Sequence, residues 1–192
     1  MLIRKLFRAE MAHATVGAYT KRCHHLHGHS YKFELFLKST QPNSAMMVSD
    51  FRAVKDIGIN DFFDSFDHAV MLWDKDIRLP IINQINPDRH IIVPFNPTAE
   101  MMAKAFFSVC QSILETGSKL SGEQDVSVAQ MIVHETETGY AIFRDVDQSD
   151  QFPPVQFDRW KFSDGIKSEW KNKDWYEKAL RSLKTSSFPS RS

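Results

Sequence analysis

The chain has 192 residues, 42% of them hydrophobic and 25% charged, with 24 Lys plus Arg balancing 24 Asp plus Glu. That length suits one domain of ordinary size with additional elements, and the apolar share can bury a core. A net charge of zero argues against the one-sided field of a nucleic-acid or membrane-surface binder, and no apolar run approaches the roughly 20 residues needed to cross a bilayer. The opening residues, Met1 to Phe7, lack the apolar stretch and small-residue cleavage site of a secretory signal, so a cytoplasmic protein is expected. Two cysteines, Cys23 and Cys110, make no disulfide framework. Eight histidines are the unusual feature, and five of them, His13, His24, His25, His27 and His29, fall within one short stretch.

Residues 2–13 read as a strand in which Ile3, Phe7, Ala9, Met11 and His13 share one face. Residues 14–26 read as a loop. Residues 27–38 read as a second strand, with His27, His29, Tyr31, Phe33, Leu35 and Leu37 on one face and Lys32, Glu34 and Lys38 on the other. Gln41 to Ser44 mark a turn, and the Met46-Met47 pair is expected in the core. Asp50 is a candidate N-cap for a helix from about Phe51, with Phe51, Val54 and Phe62 inward. Four prolines between 74 and 97 predict a largely irregular insertion, at about 75–95. Thr98 is placed to cap a second helix carrying Met102, Phe106, Val109 and Ile113 and ended by Gly117; Cys110 reads as core packing. Residues 125–135 and 139–146 read as two strands around the turn from Thr136 to Gly139.

The plan is therefore α+β, ordered ββααββ, with two helices on one face of a four-stranded antiparallel sheet. After Asp147 the composition changes. A domain at 1–147 is expected to be followed by a partly helical extension at 148–192, with a short helix within 164–183 and disorder from Thr185.

The segment Cys23-His24-His25-Leu26-His27-Gly28-His29 carries the sharpest chemistry. Two histidines one residue apart on a strand point the same way and can reach one ion. Gly28 between them permits close approach of backbone or ligand. His13 ends the neighbouring strand on the same apolar parity and completes three imidazoles, a donor set that suits Zn²⁺ and leaves a fourth position open. Cys23, four residues before His27, reads three ways: a thiolate base or nucleophile beside the ion, a fourth ligand closing the site, or an inert core cysteine. Asp67-His68 can tune and relay a proton, although such a dipeptide at a helix end is also common on surfaces. Glu135 at a strand end suits a ligand with adjacent N–H donors, or is an exposed acid. His24, His25, His90 and His134 read as solvated or as partners of the ligands.

Taken together, these residues resemble the family of 6-pyruvoyl- and 6-carboxy-tetrahydropterin synthases over about residues 3–145. The resemblance rests on six ordered matches: Phe7…Ala12-His13; Cys23…His27-Gly28-His29; Met47-Val48-Ser49-Asp50-Phe51 with Lys55; Phe66-Asp67-His68; Pro97-Thr98-Ala99-Glu100; and Glu135-Thr136. It implies the tunnelling fold (T-fold), whose subunits join their sheets into a barrel, as trimers paired into hexamers, with active sites between subunits. It implies Zn²⁺ on His13, His27 and His29, Cys23 as general base helped by Asp67 and His68, Glu135 on the 2-amino and N3 edge of a pterin, and Thr98 and Glu100 near the pterin pocket.

Three residues separate Cys23 from His27, the spacing of the bacterial carboxy enzymes of the queuosine and 7-deazapurine route; the animal pyruvoyl enzymes typically have five. The expectation is thus a lyase that converts 7,8-dihydroneopterin triphosphate to 6-carboxytetrahydropterin, acetaldehyde and triphosphate. The alternatives are the pyruvoyl synthase or a non-catalytic pterin-binding T-fold protein. Met46 in place of a frequent glycine, Phe66 in place of leucine, the long insertion and the extension depart from the family pattern.

Overall fold

The computed structural model describes residues 1–121, 125–147 and 152–185. Strand β1 (Leu2–His13) and strand β2 (His27–Lys38) run antiparallel in unbroken register, from Leu2 opposite Lys38 to His13 opposite His27. Both strands alternate as their sequences demand. Phe7, Ala9, Met11 and His13 on β1, and Tyr31, Phe33, Leu35 and Leu37 on β2, are buried on one face, while Arg4, Arg8, Glu10 and Ser30 stand exposed on the other. The loop between the strands contains a single helical turn, α1 (Lys21–His24), capped by Thr20.

A helical segment follows in three pieces: α2 (Phe51–Val54), a π-type turn (Lys55–Ile59) and α3 (Asn60–Asp64). Asp50 caps it by accepting from the Arg52 amide, as the sequence predicts. Val54 and Phe62 point inward, but Phe51 and the Met46-Met47 pair are exposed, so the expectation that these three pack in the core is corrected. Lys5 lies against the Phe51 ring instead.

Strands β3 (Val70–Trp73) and β4 (His90–Val93) flank helix α4 (Leu79–Ile85). The stretch read as irregular is therefore largely structured. Its prolines fall where they do no damage: Pro80 sits in the first turn of α4, where its missing N–H is not needed. Strand β3 adds to β1 in parallel at Ala12 and His13, and β4 adds to β3 in parallel.

Helix α5 (Ala99–Ser121) is the long one. It starts where Thr98 accepts from the Met101 amide, buries Met102, Phe106, Val109 and Ile113, and continues through Gly117 rather than ending there. Gly117 fits because a Cβ would lie 2.6 Å from Ile57: it is a close-packing glycine, not a terminator. Strands β5 (Ser127–His134) and β6 (Tyr140–Arg144) form the expected hairpin, closed by Gly139 and Thr136.

The C-terminal residues contribute β7 (Lys161–Phe162), α6 (Asp164–Glu169) and α7 (Trp175–Thr185), two helices where the sequence suggested one. The disorder expected from Thr185 falls, beyond that residue, outside the described residues. The sheet accordingly has seven strands in the order β6-β5-β2-β1-β3-β4-β7 and is mixed, which corrects the expected four-stranded antiparallel sheet. The four expected strands form its first half. The rest is added on the far side of β1.

The core lies between the odd-numbered face of β1 and β2 and helices α3 and α5. Phe33, Phe62, Phe63, Phe66 and Phe106 pack ring against ring there, each such pair adding about 0.5–1.5 kcal/mol beyond its buried area. Trp160, Phe162, Trp170 and Trp175 belong to the same core. Asp61 of α3, itself buried, accepts the backbone amides of Lys171 and Asn172 at 2.8 and 2.9 Å. Gly58, at φ 117°, makes room for Trp175, whose Cβ would lie 2.3 Å from any Cβ placed there.

Gly58→Ala combines overpacking with a backbone conformation that an L side chain resists, and should lower the unfolding free energy by at least about 2 kcal/mol in denaturant titration. On the opposite face of the sheet, burial would raise the Glu34 carboxyl, but hydrogen bonds from His134 (2.8 Å) and Arg4 (2.9 Å) outweigh it and hold it below its usual 4.5. A carboxyl lowered in the folded state stabilises above its unfolded value, and that contribution is lost as pH falls through the folded one. The melting temperature should therefore drop below about pH 4.5, and Glu34→Gln should flatten that acid limb.

Candidate metal centre and active site

The β1–β2 register decides the site. Because His13 lies directly opposite His27, and His29 follows His27 by one pleat on the same face, three imidazoles converge at one end of the pair. Their ring centroids lie 4.5, 4.8 and 5.4 Å apart. Glu135, the residue after β5, joins them, so that one donor atom from each of the four residues lies within 4.8 Å of the others. Among the described residues this is the group of His, Cys, Asp and Glu side chains placed to hold a metal ion. A Cβ at Gly28 would meet only the Met11 carbonyl, at 3.5 Å, so packing does not require glycine between the two ligand candidates.

The hydrogen bonds behind the rings fix which nitrogens face the centre. His13 Nδ1 lies 2.8 Å from the Pro97 carbonyl and His27 Nδ1 lies 2.7 Å from the His25 carbonyl. A carbonyl only accepts, so each Nδ1 carries the hydrogen and each Nε2 presents a lone pair inward. This is how metal-binding histidines are oriented by a second set of contacts. Burial lowers the His29 pKa, with the charges of His13 and His27 acting in the same direction and Glu135 opposing them, which favours the neutral, ligating form. The Glu135 carboxylate is held below its usual value first by its contact with His13, which is a hydrogen bond only when Nε2 carries a proton. Its Oε1 stands 3.1 Å from His13 Nε2 and 3.7 Å from His29 Nε2. A carboxylate facing imidazole lone pairs is stable only with positive charge between them, as a proton or a cation. The donor set therefore fits Zn²⁺.

Tyr31 is the member that sequence reasoning passed over. Its hydroxyl is 3.0 Å from His13 Nε2 and 3.5 Å from Glu135 Oε1. Burial pushes that hydroxyl well up, with the Glu135 carboxylate adding to it, so it stays protonated and can donate. The signal was present in the sequence: Tyr31 continues the parity of His27 and His29.

Cys23 lies half-buried on α1, its carbonyl accepting from the Thr15 amide at 2.8 Å. It is not part of the four-residue donor cluster. Cys110 is wholly buried within α5, as expected. Thr98 is spent on capping α5, and Glu100 is exposed in its first turn; what brings this segment to the site is the Pro97 carbonyl on His13. Asp67 accepts the Glu10 amide at 2.9 Å. His68 is exposed, takes the left-handed conformation at φ 53°, and stands 3.8 Å from Asp67. Neither touches the cluster, but His68 and His29 line one open cleft of about 390 Å³ together with Glu10, Ala12, Gly28 and Ser30. His24 and His25 are exposed, and His134 pairs with Glu34 on the opposite face.

An antiparallel β6-β5-β2-β1 half-sheet with inward histidines on its central hairpin, backed by one long helix, agrees with the T-fold expected from the sequence. Known proteins agree. The sequence profile of the 6-pyruvoyl tetrahydropterin synthases matches residues 2–146. A 6-carboxy-5,6,7,8-tetrahydropterin synthase of Helicobacter pylori (strain J99) is 30% identical over 185 residues, covering 94% of this chain and 92% of that protein. One of the same name from Aquifex aeolicus is 29% identical over 74% of this chain and 97% of its own length. In fold, the chain is similar to an uncharacterized protein of Wolinella succinogenes (TM-score 0.62, 20% identity, 76% of this chain and 98% of the other). It is likewise similar to the 6-pyruvoyl tetrahydropterin synthase of Caenorhabditis elegans (TM-score 0.52, 17% identity, 75% and 94%). The chain belongs to the 6-pyruvoyl tetrahydropterin synthase family.

Zinc titrated into chelator-stripped protein should saturate at a single ion per chain by elemental analysis. His27→Ala should weaken that binding by more than about a hundredfold, since loss even of an outer contact costs tenfold to a hundredfold.

Proposed function

We propose that this chain is a zinc-dependent 6-carboxy-5,6,7,8-tetrahydropterin synthase, a lyase that takes 7,8-dihydroneopterin triphosphate and water to 6-carboxytetrahydropterin, acetaldehyde and triphosphate. The observation that carries the reading is the convergence of His13, His27 and His29, one donor nitrogen of each lying within 4.8 Å of the others, in a chain whose relatives from Helicobacter and Aquifex bear that name. The three-residue gap between Cys23 and His27 favours the same product.

In this reading His13, His27 and His29 hold Zn²⁺, which when bound supplies Lewis-acid stabilisation of negative charge on the side-chain oxygens of the pterin. Cys23 takes up and returns a proton at the side-chain carbon, which needs it as thiolate. Asp67 and His68 relay that proton, His68 from the cleft that it lines with His29. Glu135 accepts from the 2-amino and N3 donors of the pterin, a pairing of two N–H groups with one carboxylate; Thr98 and Glu100 lie toward the pterin pocket. Its nearness to His13 supports a second role for Glu135, as the group that balances the cluster's charge when no pterin is bound. Tyr31 donates to whichever of His13 and Glu135 presents a lone pair.

The protein is further proposed to work in the cytoplasm, in the queuosine and 7-deazapurine route, as a trimer or a pair of trimers with sites between subunits. Among the described residues no helix is long and apolar enough to cross a membrane. Residues 1–147, with the insertion at about 75–95, would form the synthase unit and 148–192 its extension.

Incubation of the zinc-loaded protein with 7,8-dihydroneopterin triphosphate should yield acetaldehyde and a carboxylated pterin; a pyruvoyl pterin would make it the pyruvoyl synthase, and binding without turnover would make it a pterin-binding protein. Cys23→Ala should keep its zinc and lose turnover by about a hundredfold or more. If its metal content instead fell as far as that of His29→Ala, Cys23 would be a ligand and not the base.

A further inference from the structure

The insertion carries two arginines that do the same thing at two places. Arg78, at the start of α4, sends Nε and one terminal nitrogen to the two oxygens of Asp76, both at 2.7 Å, and its backbone amide donates to the same carboxylate at 2.9 Å. Asp76 is completely buried at its side chain. Burial would raise that carboxyl, but the Arg78 contacts outweigh it and hold it below its usual value. The remaining nitrogen of the guanidinium donates to the His24 carbonyl at 2.8 Å. His24 is the last residue of α1 and the neighbour of Cys23.

Arg89 makes a similar bridge through a single contact to an exposed carboxylate. One terminal nitrogen is 2.7 Å from Glu169 of α6, and the other donates to the carbonyl of Asp67. The Arg89 carbonyl in turn accepts from the Val70 amide at 2.9 Å. Arg89 thus brackets the turn at 67–70, in which His68 is held at positive φ by its own amide on the Glu10 carbonyl (2.7 Å) and by the Asp67 carboxylate on the Glu10 amide. A non-glycine residue held at positive φ costs energy and persists only where its surroundings impose it.

We propose that Arg78 and Arg89 are positioning residues, each clamping the backbone carbonyl beside a reacting side chain: Arg78 behind Cys23, and Arg89 between the C-terminal extension and the Asp67-His68 turn. The insertion and the extension are then parts of the active-site scaffold. The inference rests on the proposed roles of Cys23, Asp67 and His68. Its physical basis is the planar guanidinium, which can hold a carboxylate on one edge and present a rigid donor from the other. A lysine, as a point charge on a flexible stem, cannot bridge both. Misplacing a reacting group by about 1 Å can cost a hundredfold in rate.

The test uses the full zinc-loaded chain and the variants Arg78→Ala, Arg78→Lys, Arg89→Ala and Arg89→Lys, beside Cys23→Ala and His68→Ala. Each arginine variant should keep its zinc and its KM while kcat falls about tenfold to a hundredfold, with lysine failing to restore it. Two local reporters separate the clamps. Alkylation by iodoacetamide reads Cys23 alone in the folded chain, because Cys110 is wholly buried; its rate should change in the Arg78 variants only. Amide hydrogen exchange at Glu10 and His68 should quicken in the Arg89 variants only.

If Arg89→Ala fails to fold, Glu169→Ala removes the outer contact of the clamp without touching the core, and should quicken the same amides. For Arg78 the lysine variant serves in the same way. Unchanged kcat in the arginine variants, or reporters that move together in both, would overturn the proposal. Loss of turnover in Cys23→Ala and His68→Ala with none in the arginine variants sinks the clamps alone. Retained turnover in Cys23→Ala or His68→Ala sinks the assignment on which they rest.

Discussion

Everything at the site depends on the pairing of His13 with His27 across the first hairpin. The register from Leu2–Lys38 to His13–His27 is enforced by the buried face of both strands, because a slip of one residue would turn Phe7, Phe33 and Leu35 to solvent and Lys32 and Glu34 inward. The same alternation that buries those apolar side chains sets three imidazoles on one face at the strand end. The geometry of the candidate metal site is thus a by-product of core packing, and the hydrophobic core that the fold needs for stability also makes that side-chain cluster rigid.

Rigid strands supply direction, and carbonyls supply chemistry. Pro97 and His25 each offer a backbone oxygen to an Nδ1, which leaves the Nε2 lone pairs facing one another and the Glu135 carboxylate. Five polar groups crowded in this way, with Tyr31 among them, are costly without a cation. The fold tolerates the arrangement because β1, β2, β5 and α5 are each tied into the same core.

Much of this was legible in the sequence. The two long strands, the Asp50 and Thr98 caps and the β5–β6 hairpin followed from period-two alternation and capping chemistry over segments long enough to show them. The second half of the sheet was not. Strands β3, β4 and β7 have four residues or fewer, too short to display a period, and prolines around α4 suggested a coil although one of them opens that helix. The exposed Met46-Met47 pair and Phe51 misled for the opposite reason: apolar side chains imply burial only when a partner surface exists. Glu135 reads from the sequence as a substrate contact alone, since a contact between residues so far apart in sequence leaves no local trace. Tyr31 sat in plain view on the correct face. The extension reads as an appendage from its change of composition, yet its tryptophans pack into the central core and Asp61 holds its backbone. The Helicobacter relative matches over 94% of the chain, a span that must run well past residue 147.

The central claim is an open three-histidine ion with Cys23 beside it and free of it. Cobalt(II) substituted for zinc reports both points in one spectrum. The account predicts weak ligand-field bands of a site with nitrogen and oxygen donors that shift when a pterin is added, with no thiolate-to-metal charge-transfer band. An intense charge-transfer band that disappears in Cys23→Ala would make the cysteine a ligand, close the site, and contradict the account.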